Sequence, residues 1–316
     1  MPLLTNEASG VHVIAPTPFD EKGALDLAST ANMVERYLAM GASGLTLLGI
    51  MGEAPKLTAT EALGFVKEVL ACAGSGAAVT VGVSSPGFAA MRDLARAVMD
   101  MGASGVMIAP PSGLRGDEQV IGYFADAVEA IGRDVPFVLQ DYPQSNNVAM
   151  PPKVIAAIVK AHPSCVVLKH EDWPGLDKIA ALRRMEAQGE LRRVSILVGN
   201  SGMFLPHEME RGADGAMSGY AYPEMLVGVI EMSRAGRRDE AHDLFDRHVP
   251  LIRYEMQPGV GLAVRKYVLK KRGVIAHDTV RKPAARLSPE TIADVEFLIG
   301  RVEARGGANH RRGIAA

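Results

Sequence analysis

The chain has too little of several things to belong to several classes of protein. Two cysteines among 316 residues, Cys72 and Cys165, cannot build a disulfide framework, and apolar neighbours make both read as core thiols. No apolar run approaches the roughly 20 residues that span a bilayer, so no membrane partner is expected. Met1 to Gly10 lack the basic-then-apolar pattern of a secretory leader, which points to the cytoplasm. Neither sign of charge dominates, with 34 Lys and Arg against 36 Asp and Glu. Basic residues cluster only at Lys266 to Arg272 and His310 to Arg312, so no nucleic-acid partner is expected. The eight histidines form no H-x-x-x-H pair and no cluster with carboxylates at ligand spacing, so no metal is expected. The one tryptophan, Trp173, reads as loop packing, and the 16 methionines as core or interface filler.

What the chain does hold is an internal rhythm. A composition 48% apolar and 22% charged describes a soluble globular protein, and the length suits an α/β barrel with an appendage. Met40-Gly41-Ala42-Ser43-Gly44, Met101-Gly102-Ala103-Ser104-Gly105 and Arg211-Gly212-Ala213-Asp214-Gly215 repeat one pattern, each after a helical stretch and before an apolar strand. They read as equivalent α-to-β turns, the first glycine ending a helix and the second allowing close packing at strand entry. Strands are then expected near 11–15, 44–48, 78–83, 105–109, 135–140, 165–169, 194–198 and 214–218. Helices are expected near 26–40, 58–73, 86–101, 117–132, 151–161, 176–188, 203–211 and 223–235. This alternation predicts an α/β fold, a closed (β/α)8 TIM barrel over 1–235, although alternation alone leaves an open doubly wound sheet possible. Helical patterns near 238–256, 258–273 and 288–304 form a C-terminal appendage over 236–304, and the Gly- and Arg-rich 305–316 is expected to fray.

Barrel enzymes carry their chemistry at the C-terminal ends of strands. In order these ends read Thr17-Pro18-Phe19, Gly49-Ile50-Met51-Gly52-Glu53, Ser84-Ser85, Pro110-Pro111-Ser112, Gln140-Asp141-Tyr142-Pro143, Lys169-His170-Glu171, Gly199-Asn200-Ser201 and Ser218-Gly219-Tyr220. The run Val166-Val167-Leu168 stops at Lys169, so a charge sits where a core ends. A surface lysine, with a pKa of about 10.4, is a poor nucleophile, but burial disfavours the ammonium form. A buried amine can attack a carbonyl and form a Schiff base. The alternative is a lysine that snorkels to solvent, but no other strand end offers so strong a nucleophile. Successive strand residues face opposite ways, so Glu171 is a better candidate than His170 for proton transfer beside Lys169. A structural ion pair near Asp172 and Lys178 is its competing role. Asn200, Ser201, Ser218 and Gly219 read either as lining of a substrate site or as loop caps.

Taken together, Thr17-Pro18-Phe19, the Gly-x-x-Gly-Glu turn at Gly49 to Glu53, Lys169 with Glu171, Gly212 to Gly215 leading into Ser218-Gly219, and Arg281-Lys282-Pro283 resemble the dihydrodipicolinate synthase and N-acetylneuraminate lyase superfamily. The resemblance covers nearly the whole chain. It implies a (β/α)8 barrel with C-terminal helices, commonly a homotetramer, in which Lys169 forms a Schiff base with a 2-oxo acid and no cofactor is needed beyond that imine. Thr17, Ile50, Met51, Gly52, Ser112, Asn200, Ser218 and Gly219 are the expected substrate-binding positions. Several positions depart from the pattern: Ile50 and Met51 replace two threonines, and Gln140 stands in the register of a tyrosine. Ser145 aligns with a carboxylate-gripping arginine, and Ser112 with a tyrosine lent across a subunit interface. Gln140 has no titratable proton, and Tyr142, on the same side of an extended chain, is the candidate replacement.

These losses disfavour dihydrodipicolinate synthesis. The run Gln140 to Ser145, and more weakly Pro250-Leu251-Ile252 with Glu255, resemble the sugar-acid dehydratase branch typified by L-2-keto-3-deoxyarabonate dehydratase. The implied chemistry is an imine at C2 of a 2-oxo acid, followed by dehydration or by retro-aldol cleavage. Backbone N–H groups of the Ile50-Met51-Gly52 turn are expected to bind the substrate carboxylate. Two other readings stay open: a barrel that has lost catalysis and only binds a 2-oxo acid, and a phosphate-binding barrel using Gly199 to Gly202 with Ser218-Gly219.

Overall fold

Eight parallel strands close on themselves in sequence order, β1 (Gly10–Ile14), β2 (Gly44–Leu47), β3 (Ala78–Gly82), β4 (Gly105–Ile108), β5 (Phe137–Asp141), β6 (Cys165–His170), β7 (Ser195–Val198) and β8 (Gly215–Ser218). β8 pairs with β1 through Gly10↔Gly215 to Val13↔Ser218, which closes the (β/α)8 barrel. The computed structural model describes the backbone of residues 1–312 and side chains as far as Ala304. Of the end expected to fray over 305–316, residues 305–312 continue the last helix and 313–316 lie outside the described residues. The helices are α1 (Leu27–Ala39), α2 (Ala59–Ala73), α3 (Phe88–Asp100), α4 (Asp117–Ile131), α5 (Pro143–Asn146), α6 (Pro152–Ala161), α7 (Leu176–Ala187), α8 (Leu205–Glu210), α9 (Pro223–Arg234), α10 (Arg238–Glu255), α11 (Gly261–Lys271) and α12 (Pro289–Arg312). α10 packs on α8 and α9, and α12 on α10 and α11. No described helix is long and apolar enough to cross a membrane.

The repeated turns explain why the strands enter where they do. Gly41, Gly102 and Gly212 all adopt positive φ just past a helix end, a conformation that a side chain resists. The second glycines are held by crowding: a Cβ on Gly105 would lie 2.7 Å from the Pro136 carbonyl, and one on Gly215 would lie 2.1 Å from that of Gly10.

Alternation along the strands sorts the apolar side chains into two cores. Ile14, Met107, Val138, Val167, Leu197 and Met217 fill the barrel interior, while Val13, Leu139, Leu168, Val198 and Ala216 face the helices. Below, Leu4 and Ala8 plug the interior, held by Leu4 N–H donating to Ser104 O at 2.7 Å and Ser195 Oγ donating to Ala8 O at 2.6 Å. Above, Gln140 and Lys169 continue the inner columns of Val138 and Val167 and share one register level across β5 and β6. Cys165 falls in the helix-side core, where the β5–β6 register shifts, and burial pushes its thiol up to about 12. Cys72, expected in the core, is exposed on α2 with Sγ 3.6 Å from Glu68 Oε1. It falls at the edge of the buried stripe of α2, which runs through Ala62, Val66, Val69 and Ala73.

One buried cation ties three distant motifs together. Lys266 Nζ on α11, fully buried, donates to Glu53 Oε1 at 2.6 Å, Thr17 O at 2.8 Å and Thr279 O at 2.8 Å, and lies 4.4 Å from the Phe19 ring centroid. Glu53 Oε2 also accepts from the Arg281 backbone N–H at 3.0 Å, so the β1, β2 and C-terminal motifs meet at one carboxylate. Burial lowers the lysine's pKa to about 8, against the pull of Glu53. Replacing it by methionine removes the partner of Glu53 Oε1, while Lys56 Nζ still holds Oε2 at 3.0 Å. Lys266→Met is therefore expected to lose about 2–3 kcal/mol of stability, the worth of buried hydrogen bonds to a charged group, read as a lower urea midpoint at unchanged slope.

Candidate active site

Lys169 stands at the C-terminal end of β6, only 5% exposed, with Nζ 3.0 Å from Glu171 Oε2. Gln140 Nε2 donates to the same oxygen at 2.7 Å, so one carboxylate oxygen is shared between the amine and the amide. Glu171 reaches this position because β6 has ended. Its backbone N–H donates to Asp141 O at 2.9 Å, and its carbonyl accepts from Asn200 Nδ2 at 2.9 Å. Gly199 completes the seat, since a Cβ there would sit 2.4 Å from Glu171 Cγ and Oε1. His170 turns to the helix side, where Nε2 meets Gly175 O at 3.1 Å and Nδ1 lies 3.6 Å from Asp141 Oδ2. Lys178 pairs with Asp141 at 2.8 Å and Asp172 at 2.5 Å, not with Glu171.

Tyr142 follows Gln140 on the inner side of the chain. Burial raises its phenol pKa, the Glu171 carboxylate raises it further, and the Arg265 guanidinium opposes them, so the phenol keeps its proton at neutral pH. Arg265 itself was not legible as a mouth residue, because it adjoins the basic run of α11. It is 3% exposed, donating from Nε to Glu255 Oε2 at 3.0 Å and from Nη2 to Ser201 Oγ at 2.8 Å. Its Nη1 would lie 2.3 Å from a Cβ on Gly219, so glycine is what lets the guanidinium approach this rim. Burial pushes Glu255 above the usual carboxylate range despite Arg265. Glu208 on α8 was missed as well: burial first, and then Glu171, push it up to about 8.

The remaining expected positions divide by what already holds them. Thr17 is fully buried and its hydroxyl donates to Gly52 O at 2.6 Å, so it shapes the turn instead of offering a free hydroxyl. Ile50, Met51 and Gly52 form a single 3-10 turn in which Gly52 N–H donates to Gly49 O at 3.0 Å. The Gly52 amide is thus engaged. Ile50 and Met51, whose amides open the turn, supply the donors that could meet an anion. The Ile50 side chain is 58% exposed, whereas Met51 packs down on the barrel interior. Asn200 supports Glu171 through backbone. Ser112 is exposed on the β4–α4 loop and makes no hydrogen bond among the described residues. Ser218 is buried on the helix side of β8, opposite to Met217, and so does not face the mouth that Gly219 adjoins.

Comparison with known proteins adds the lineage. The sequence model of the dihydrodipicolinate synthetase family matches residues 7–301. This chain belongs to that family. Among its curated relatives, L-2-keto-3-deoxyarabonate dehydratase of Azospirillum brasilense is 28% identical over 300 residues, covering 93% of this chain and 94% of the relative. The 4-hydroxy-tetrahydrodipicolinate synthase 1 of Streptomyces coelicolor is 29% identical over 295 residues, covering 92% and 93%. The crystal structure of dihydrodipicolinate synthase from Rhodopseudomonas palustris superposes with a TM-score of 0.94 at 56% identity, over 95% of this chain and all of that one. The dihydrodipicolinate synthetase family is one of lyases and synthases, and its shared barrel places the Lys169, Glu171 and Gln140 cluster at the end where barrel enzymes work.

Proposed function

We propose that the protein is a Schiff-base-forming dehydratase of a 2-keto-3-deoxy sugar acid. One observation carries this reading: Glu171 Oε2 lies 3.0 Å from Lys169 Nζ and is oriented at 2.7 Å by Gln140, an amide that cannot itself move a proton. The pair supplies a nucleophile and a proton carrier within one hydrogen bond. Lys169 Nζ attacks C2 and water leaves as the imine forms. The imine draws electrons from C3, whose proton passes to Glu171 and leaves an enamine. The enamine expels the C4 hydroxyl, which departs as water on taking that proton, and hydrolysis of the imine frees Lys169. The Ile50 and Met51 amides suit the substrate carboxylate, and Arg265 Nη1 suits the hydroxyls beyond C4. No cofactor enters this sequence.

A second reading is condensation, supported by the synthases among the relatives and by the 56% identity to the synthase from R. palustris. Against it stand Gln140, Ser112 and Ser145 at the positions where the resemblance implies two tyrosines and an arginine. Product analysis separates the readings. A 2-keto-3-deoxy pentonate incubated with the enzyme is expected to lose water and give a dioxo or unsaturated acid. Release of pyruvate and an aldehyde would replace dehydration by retro-aldol cleavage. Consumption of pyruvate only with an acidic aldehyde present would establish the synthase.

A further inference from the structure

Outside the mouth, one group of side chains converges with no part in the chemistry above. His207 and Glu210 lie three residues apart on one face of α8, and His242 comes from the first turns of α10. Glu210 Oε1 lies 2.9 Å from His242 Nε2, Glu210 Oε2 lies 3.7 Å from His207 Nδ1, and the two imidazole centroids are 5.0 Å apart. One donor atom from each of the three residues falls within 4.8 Å of the other two. A cavity of about 290 Å³ opens beside them, lined by Glu210, His242 and Arg238. Sequence spacing could not reveal this, because Glu210 and His242 are 32 residues apart and meet only when α10 folds back on α8.

We propose that His207, Glu210 and His242 form a binding site for a divalent first-row transition cation, zinc foremost, that pins α8 to α10. Two imidazoles and a carboxylate are a borderline ligand set that selects such ions over magnesium or calcium. Three protein donors leave a fourth tetrahedral position open toward the cavity, for water or an anion. Arg238 Nε at 2.7 Å from Glu210 Oε1 holds one carboxylate oxygen and turns the other toward His207, the kind of outer contact that orients a ligand. The cation would also act at a distance. α8 follows the turn that carries Asn200 under Glu171 and Ser201 under Arg265, so fixing α8 to α10 steadies that turn.

The test uses the full chain purified without a histidine tag, stripped with chelator and titrated with ZnCl2 by calorimetry. Cobalt absorption serves as a check on tetrahedral geometry. The wild-type protein is expected to bind one ion per chain and to melt at higher temperature with zinc present. His242→Ala and Glu210→Gln are expected to weaken binding at least about tenfold while keeping the native circular dichroism. Arg238→Gln, which retains all three donors but loses the contact that orients Glu210, is expected to weaken binding less than loss of a donor does. Absence of saturable zinc binding by the wild-type chain, equal binding by the variants, or magnesium binding as tightly as zinc would each overturn the proposal.

Discussion

Borohydride reduction in the presence of pyruvate or a 2-keto-3-deoxy sugar acid is expected to leave the substrate skeleton covalently on Lys169, and Lys169→Ala is expected to abolish both the adduct and turnover. The expectation follows from placement. Lys178 and Lys266 are also largely buried, but Lys178 is clamped by two aspartates and Lys266 by a carboxylate and two carbonyls. Lys169 has a single carboxylate partner and the inner column of β6 beneath it. A nucleophile that forms a covalent bond has no substitute, so the loss in turnover reaches the background rate instead of a partial decrement. Peptide mapping is the deciding measurement, since reduction fixes the label on whichever lysine formed the imine. A label on Lys178 or Lys266, or none on a folded protein, would remove the basis of the proposed mechanism.

How much of this was readable before folding depends on the range of the interactions. The barrel was legible because each βα unit carries its own signals, an apolar run and an amphipathic helix, and three of the turns add a glycine pair whose φ and crowding the backbone demands. Lys169 was legible for a related reason, since an apolar strand that ends on a charge is a local pattern. Glu171 could be narrowed to the inner face by strand alternation, but only the fold reveals that Gly199 makes room for it and that Lys178 is engaged elsewhere. Arg265 and Lys266 were hidden in a basic run that looks like a solvated helix face. Both are buried because α11 lies against the barrel rim, a fact of packing between segments more than 200 residues apart in the case of Lys266 and Thr17. For the opposite reason Thr17 and Ser218 were expected at the substrate, yet Thr17 Oγ1 is taken by the Gly52 carbonyl and Ser218 turns to the helix side of β8. A strand-end list names residues near the mouth without stating which face they take or which carbonyl already claims them.

Glu171→Gln is expected to lower kcat by about 10²–10⁴, or roughly 3–5 kcal/mol, with a small change in KM. The substitution keeps the size of the side chain and its seat under Gly199, so substrate can still enter and Lys169 can still be trapped, though more slowly. What it removes is the one oxygen that touches both Nζ and the Gln140 amide, and with it the base for the C3 proton. The competing carrier is Tyr142, whose phenol burial holds in the protonated form, suited to donate a proton and unsuited to accept one at neutral pH. Tyr142→Phe is therefore expected to cost less than Glu171→Gln, and to leave C3 exchange intact. Deuterium exchange at C3 separates the two, because it reports the first proton transfer without requiring the second. Loss of exchange in Glu171→Gln with retention in Tyr142→Phe assigns the base to Glu171. The reverse pattern would hand that role to the phenol and leave Glu171 as the group that positions the lysine.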